Sequence, residues 1–274
     1  MKCKICQSPS TIFGKAKVIQ KHLISFYQCD QCGFMQSESP YWLDESYSTT
    51  ITKSDIGMLG RNLQMADVTK RLLLMCFPVT GKFVDYGGGY GIFVRLMRDQ
   101  GFDFYRHDPL CENIFAEGFD APTDDKYDLL TAWEVFEHLV DPMPEIETML
   151  NYSENLLFST TLLPRSPKPL DQWWYYGLEH GQHVSFYTYE TLQFVAKKHN
   201  LKLHHSSGSV HWMGRKQIPP LKTRIVFGHR LGILRSMLSQ RAPRSLLEND
   251  FHQITGQFLN DSNSPGSVKD RSWK

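Results

Sequence analysis

No stretch of this chain approaches the ~18 consecutive apolar residues of a membrane-spanning helix. The longest apolar run, Leu72 to Phe77, is short and ends at Pro78. The opening residues, Met1-Lys2-Cys3-Lys4-Ile5-Cys6, hold no apolar segment of the kind that directs secretion. Net charge is lacking too: 30 Lys and Arg against 29 Asp and Glu leave +1 over 274 residues. No global field therefore recruits nucleic acid or a membrane surface. Internal repeats are absent. These absences point to the cytoplasm, where thiols stay reduced and cysteine pairs serve as metal ligands rather than disulfides.

What is present is the composition of a folded protein, 41% hydrophobic and 22% charged. The length allows one large α/β domain with appendages, or two small domains. The neutral total hides an asymmetry. Fifteen acidic residues lie between Asp99 and Glu154 against only Arg106 and Lys126, whereas Arg215 to Leu247 holds eight Lys or Arg and no acid. The basic residues of that second segment interleave with Ile225, Val226, Leu231 and Leu234, an amphipathic helical pattern. It reads as a helix packed on the domain, or as a cradle for a diphosphate, for which Arg is suited.

Five regions follow: a cysteine-bearing module over 1–39, a connector over 40–60, an α/β domain over 61–214, a helical extension over 215–259 and a polar, disordered tail over 260–274. Within the first, Lys17–Ile19 and Leu23–Gln28 read as strand pieces. A helical pattern spans about Asn62–Cys76, with Leu63, Ala66 and Leu73 inward. Strands and helices then alternate: Phe83–Tyr86, Ile92–Gln100, Phe102–His107, Tyr127–Trp133, Pro142–Leu150, Asn155–Thr160, Tyr189–His199, and a strand pair through Leu201–Ser206 and Val210–Met213. Such alternation argues a mostly parallel sheet covered on both faces.

Asp85-x-Gly87-x-Gly89-x-Gly91 directly follows a hydrophobic strand and opens a helix. The dinucleotide fingerprint needs its third glycine one place later, where Ile92 stands. Asp108 closes the next strand, positioned to accept two hydroxyl hydrogen bonds from a ribose. Glu134-Val135-Phe136-Glu137-His138-Leu139-Val140-Asp141-Pro142 follows the strand beginning at Tyr127. This combination resembles the class I S-adenosylmethionine-dependent methyltransferases over roughly residues 60–213. The resemblance implies a Rossmann-like, seven-stranded sheet with the last strand antiparallel and the cofactor across the carboxyl ends of the strands. It further implies that the loop Gly87, Gly88, Gly89 and Tyr90 approaches the methionyl group, Asp85 faces its ammonium, Asp108 holds the ribose, and Ala132, Trp133 and Glu134 line the site. Glu137 and His138 either serve that site or only cap and orient a helix.

Cys3-x-x-Cys6 and Cys29-x-x-Cys32 supply four thiolates in two tight pairs, the set that a structural zinc ion (Zn2+) takes tetrahedrally. The 22 residues between them slightly exceed the usual spacing of about 15–20, which a hairpin absorbs. Cys76 and Cys111 read as core cysteines. Cys29-x-x-Cys32-Gly33-x-x-Gln36 resembles the element that opens zinc-bearing methyltransferases acting on nucleotide-linked sugars.

On the acceptor side, Trp173-Trp174-Tyr175-Tyr176 precedes His180 and His183. Four adjacent aromatics suggest stacking on a sugar ring or planar acceptor, and His is suited to proton transfer near neutral pH. The stretch from His183 to Thr188 resembles the catalytic segment of sugar C-methyltransferases, which implies His183 as general base and His180 as its partner. The expected acceptor is a small molecule, a nucleotide-linked sugar or glycan precursor. The alternatives are a quinone or phenol acceptor, or ribosomal RNA, which the near-neutral charge disfavours. Oligomeric state has no signature in the sequence.

Overall fold

The computed structural model describes residues 1–47, 56–205, 208–215, 217–228 and 243–258. Residues 216 and 229–242 of the basic segment and all of the expected tail lie outside them.

Strands β4 (Lys82–Tyr86), β5 (Asp103–His107), β6 (Leu129–Ala132) and β7 (Asn155–Ser159) are parallel, and β9 (Lys202–His205) and β10 (Val210–Gly214) complete a six-stranded sheet. Its order is β5-β4-β6-β7-β10-β9, with β10 antiparallel to both neighbours. Successive side chains on one strand enter opposite cores, which explains the unbroken apolar strands. Phe83, Leu129 and Leu157 join Leu72 and Phe93 of α2 (Met58–Cys76) and α3 (Ile92–Asp99) on one face. Val84, Leu130 and Leu156 join Ile146 and Leu192 of α4 (Pro142–Tyr152) and α5 (Tyr189–Lys198) on the other. The sheet is doubly wound, as the alternation implies.

Two details differ from expectation. Six strands are described where the resemblance implies seven. Outside β5 only an isolated parallel bridge forms, Arg106 to Asp120, and Pro122 two residues on denies the ladder a donor. On α2 the buried positions run through Met65, Ala66, Thr69, Leu72 and Leu73, and Leu63 is 60% exposed. The helical period is right and the inward face sits a fraction of a turn away.

The N-terminal residues build a second, antiparallel sheet. β1 (Ser10–Val18) and β2 (His22–Cys29) form a hairpin, β3 (Met35–Ser37) adds to β2, and β8 (Ser185–Phe186) closes the order β1-β2-β3-β8. That last strand comes from the acceptor-side segment 150 residues downstream of β3, so the cysteine-bearing module is sewn into the main domain. Cys3, Cys29, Cys32 and Phe34 share one core with Met143, Tyr187 and Leu192. Short α1 (Leu43–Ser46) follows β3, and Trp42 just before it donates its Nε1–H to the Gly181 carbonyl at 2.8 Å.

Beyond the sheet lie α6 (Pro220–Phe227), whose Ile225 and Val226 are buried, and α7 (Leu247–Thr255). Asp250 on α7, 2% exposed, accepts from Arg98 Nε and Nη2 of α3 at 2.8 Å each. Arg98 also holds Asp103 at 2.6 Å. Asp250→Ala is expected to destabilise the fold by about 1.5–3 kcal/mol, because Arg98 loses a bidentate partner and keeps a second one. Denaturant melts of parent and variant measure this directly.

Candidate active site and metal centre

The loop after β4 turns through Gly87, Gly89 and Gly91, all at positive φ. A Cβ on Gly87 would meet Val135 Cγ2 at 2.6 Å, and one on Gly91 would meet Asn113 Oδ1 at 2.7 Å. Strain and space together reserve both positions for glycine. The Gly87 amide donates to the His107 carbonyl at 2.7 Å, which ties the loop to the end of β5. Half-buried Tyr90 contributes its carbonyl, which accepts from the Ile114 and Phe115 amides.

Two carboxylates stand at this loop. Asp85, 2% exposed on β4, accepts a 2.6 Å hydrogen bond from the Thr131 hydroxyl of β6. Burial, helped by the Asp108 charge, raises its pKa to about 7 against the opposing pull of Thr131 and Arg106. Asp108 directly follows β5; its Oδ2 accepts from the Gly89 amide at 2.8 Å and its Oδ1 from the Leu110 and Cys111 amides at 2.9 and 3.0 Å. The carboxylate therefore braces its own loop at the carboxyl end of the strand, the side on which open α/β sheets bind ligands.

At the end of β6, Ala132 is fully buried and the Trp133 ring packs 5.6 Å from Phe93, its Nε1–H buried without a partner. Glu134 takes a left-handed φ of 54°. Ser159 at the end of β7 clamps it, accepting from the Glu134 amide at 2.8 Å and donating to its carboxylate at 2.5 Å. Such strain in a non-glycine residue is characteristic of functional sites. A single turn, Phe136–His138, then carries Glu137 and His138 inward.

Glu137 is fully buried, and neither carboxylate oxygen has a hydrogen-bond partner. The Tyr175 and Thr160 hydroxyls, 3.1 Å from each other, lie near it without completing a bond. Burial, and then the charge of Glu134, push its pKa up to about 8. His138 Nδ1 lies 2.8 Å from the Tyr47 hydroxyl. The His183 ring sits edge-on 4.9 Å from His138 and 4.8 Å from His180. His183 Nδ1 lies 2.7 Å from the Tyr175 carbonyl. A carbonyl only accepts, so Nδ1 carries the proton and Nε2 the lone pair. Burial holds the His183 pKa down to about 4, so the ring is neutral. The near-neutral pKa expected of a base is thereby corrected: desolvation of the cation outweighs the carbonyl's help. One ligating atom each from Glu137, His138 and His183 lies within 4.8 Å of the others.

Sequence reasoning placed His180 and His183 here and left Glu137 and His138 undecided. It missed Thr131, Ser159 and the role of Tyr47, whose residue types carry no distinctive spacing. The aromatic run is also corrected in part. Tyr175 and Tyr176 are 1% exposed and belong to the core beneath the second sheet; Trp174, 76% exposed, faces solvent.

The four cysteines converge as their spacing implies. Sγ atoms of Cys3 and Cys32 lie 3.6 Å apart, those of Cys6 and Cys29 3.4 Å, and all four fall within 4.8 Å of one another. Sulfurs about 2.3 Å from a tetrahedral centre lie roughly 3.8 Å apart, so the set fits zinc. Gly33, at φ 74°, makes the tight return, and its amide donates to the Cys29 carbonyl at 2.9 Å. Gln36 clasps the knuckle: its Oε1 accepts from the Lys4 amide at 2.9 Å and its Nε2 donates to the Lys2 carbonyl at 3.1 Å. Cys76 and Cys111 are half-buried rather than core.

A family model for a methyltransferase domain matches residues 60–206, more than half of the chain. The chain belongs to that family. It is an S-adenosylmethionine-dependent methyltransferase. Among solved structures it is similar to the plantazolicin methyltransferase BpumL in complex with a monoazolic desmethylPZN analog and SAH, at 13% identity over 75% of this chain and 89% of that one, with a TM-score of 0.46. An O-methyltransferase family protein from Burkholderia thailandensis matches at 12% identity over 66% and 65%, with a TM-score of 0.48. The magnesium protoporphyrin IX methyltransferase of Synechocystis PCC 6803 with bound SAH matches at 12% over 64% and 95%, with a TM-score of 0.41. No curated protein sequence matches the chain. No helix among the described residues is long and apolar enough to cross a membrane.

Proposed function

We propose that the enzyme transfers a methyl group from S-adenosylmethionine, held over Gly87–Tyr90 between Asp85 and Asp108, to a small-molecule acceptor seated against His183. The observation that supports this reading is that two unlike halves adjoin at the strand ends, Val135 lying between the Gly87 turn and the turn that carries Glu137 and His138. A strained glycine loop with two carboxylates stands at the ends of β4 and β5, and a buried Glu–His cluster stands beyond β6 and just before β8. Asp85 answers the ammonium of the cofactor, Asp108 its ribose, and Ala132 to Glu134 line the adjoining wall. Methyl transfer from a sulfonium is an in-line displacement, so alignment supplies most of the rate. The acceptor's proton passes to the Nε2 lone pair of His183, whose tautomer the Tyr175 carbonyl holds, with His180 as the neighbouring ring. Exposed Trp174 offers a face for a sugar or planar ring. The cysteine element, which resembles that of nucleotide-sugar enzymes, favours a nucleotide-linked sugar or glycan precursor, and a structural zinc in the four cysteines completes the assignment.

Calorimetric titration with S-adenosylhomocysteine tests the cofactor half. Asp85→Ala and Asp108→Ala are each expected to cost about 1.5–3 kcal/mol of binding, the worth of a charged hydrogen bond. A pH series adds a sharper check. Asp85 must be ionised to meet an ammonium, and its pKa in the ligand-free protein is raised to about 7. Affinity should therefore hold above pH 7 and fall by up to about tenfold per unit below it, a loss absent from Asp85→Ala. Equal binding by parent and both variants would end the assignment.

A further inference from the structure

Among the described residues, Glu137 carries the one buried carboxylate that no hydrogen bond satisfies. It is fully buried, both oxygens lack a hydrogen bond, and the neighbours that act on it most are Glu134, Tyr175 and Thr160, none of them a cation. A buried carboxylate without a partner costs several kcal/mol unless it is neutralised or paired. Two imidazoles complete its surroundings, and they arrive from distant parts of the chain. His138 comes from the turn after β6, its Nδ1 at the Tyr47 hydroxyl. His183 comes from the segment just before β8, with its Nδ1 proton already committed to the Tyr175 carbonyl. A ring held through one nitrogen by a carbonyl, and presenting the lone pair of the other, is the arrangement found in metal-ligating histidines. Glu134, anchored by Ser159, adds a second negative charge beside the group.

We infer that Glu137, His138 and His183 form a binding site for a first-row divalent cation on the acceptor side of the crevice, separate from the four-cysteine centre. The observations converge on this ligand class from three sides. The ligating atoms lie within 4.8 Å of one another, and small side-chain rotations bring them to the roughly 3–3.5 Å separation of atoms about 2.1 Å from one centre. Two imidazoles with one carboxylate are the donor set of Mn2+, Fe2+, Co2+ and Zn2+ rather than of Ca2+, which takes oxygens. Three protein ligands leave positions open, as catalytic sites do and the closed four-cysteine set does not. The inference rests on the methyltransferase reading of the crevice and deepens it. Without the cation the His183 lone pair serves as the base; a bound cation would occupy that lone pair and would instead make a coordinated acceptor hydroxyl more acidic, so loss of His183 lowers turnover in either state.

The test is a titration of the full chain with Mn2+, followed by loss of the free-ion electron paramagnetic resonance signal. Mn2+ is a hard ion that leaves thiolate sites alone. The parent should bind one Mn2+, and Glu137→Gln should bind it at least about 100-fold more weakly, since even the partners of metal ligands are worth 10–100-fold. Glu137→Gln keeps the shape of a protonated glutamic acid. If Glu137 is simply protonated and structural, parent and variant behave alike, and that result overturns the inference, as does a parent that takes up no Mn2+. S-adenosylhomocysteine binding, measured on the same samples, reports separately on the fold and cofactor seat. A variant that binds it like the parent is folded, and a parent that fails to bind it overturns the methyltransferase reading of the crevice without altering the cation count.

Discussion

Removing the metal from Cys3, Cys6, Cys29 and Cys32 is expected to abolish turnover while leaving affinity for S-adenosylhomocysteine within about threefold. Structural zinc sites of this kind hold their ion with roughly 10–16 kcal/mol of apparent binding energy at neutral pH, and that energy is folding energy for the module. The sequence suggests that such a loss stays confined to residues 1–39. The structure extends it. The Cys32 carbonyl accepts from the Thr188 and Thr191 hydroxyls at 3.1 and 2.7 Å, and these two residues form the capping box of α5. β3 pairs directly with β8, two residues beyond His183. Unfolding the knuckle therefore releases the segment that positions His183, whereas β4 and β5 keep the core on the opposite face of the sheet, where Phe83 and Phe104 pack with Leu72 and Phe93. Elemental analysis should first find one zinc per chain in protein prepared without a metal-binding tag. After chelation, hydrogen exchange should rise over 1–39 and 183–188 and stay low in β4 to β7. Full activity in the metal-free protein would show that the two sheets are not coupled in this way.

Replacing His183 with alanine carries the second large effect, a fall in turnover of about 10²–10⁴-fold at saturating cofactor, the usual worth of a positioned proton acceptor. Cofactor affinity should scarcely change, since the ring faces His138, His180 and Tyr175. His180→Ala should cost less. The pH profile follows from the environment. Burial holds His183 down to about 4, so the neutral, competent form persists throughout the physiological range. The parent should show no loss of turnover near pH 6 from this residue; its acid limb lies near pH 4. Stability has the matching sign. His183 and His211 are both held to about 4, so their own contribution to stability declines as pH falls through about 6.5, while Asp85 and Glu137, raised to about 7 and about 8, contribute with the opposite sign over the same range. A steady-state profile with a half-maximum near pH 6 at saturating cofactor would contradict the buried, neutral ring.

Much of the fold was legible because its signals are local. Phe83–Tyr86, Gly87–Gly91 and Ile92 onward read as strand, turn and helix, and stand as β4, loop and α3. Two consecutive strand residues that enter two different cores must both be apolar, and that leaves unbroken runs such as Leu129-Leu130 and Leu156-Leu157-Phe158 in the chain. The four cysteines were legible for a similar reason. Two Cys-x-x-Cys pairs state a donor set outright, and here they meet.

The acceptor side was less legible. Tyr175 and Tyr176 look like a displayed platform in sequence, yet an aromatic beside a second sheet is simply core, and nothing upstream announces that β8 will build that sheet. Asp108, read as a ribose holder, spends hydrogen-bonding capacity on its own loop amides. Tyr47 and Ser159 meet His138 and Glu134 across 91 and 25 residues, contacts no periodicity encodes.

From the sequence alone came the strand–loop–helix order, the glycine positions, the carboxylates that end β4 and β5, and the four-cysteine set. Each is determined by backbone sterics or donor chemistry within a few residues. Tertiary structure alone decided that the N-terminal hairpin is closed by β8, that Glu137 is buried without a hydrogen bond, and that His183 is neutral. Pairing across long separations and the desolvation of a charge depend on what the rest of the chain brings to one place, and residues adjacent in sequence carry no record of that.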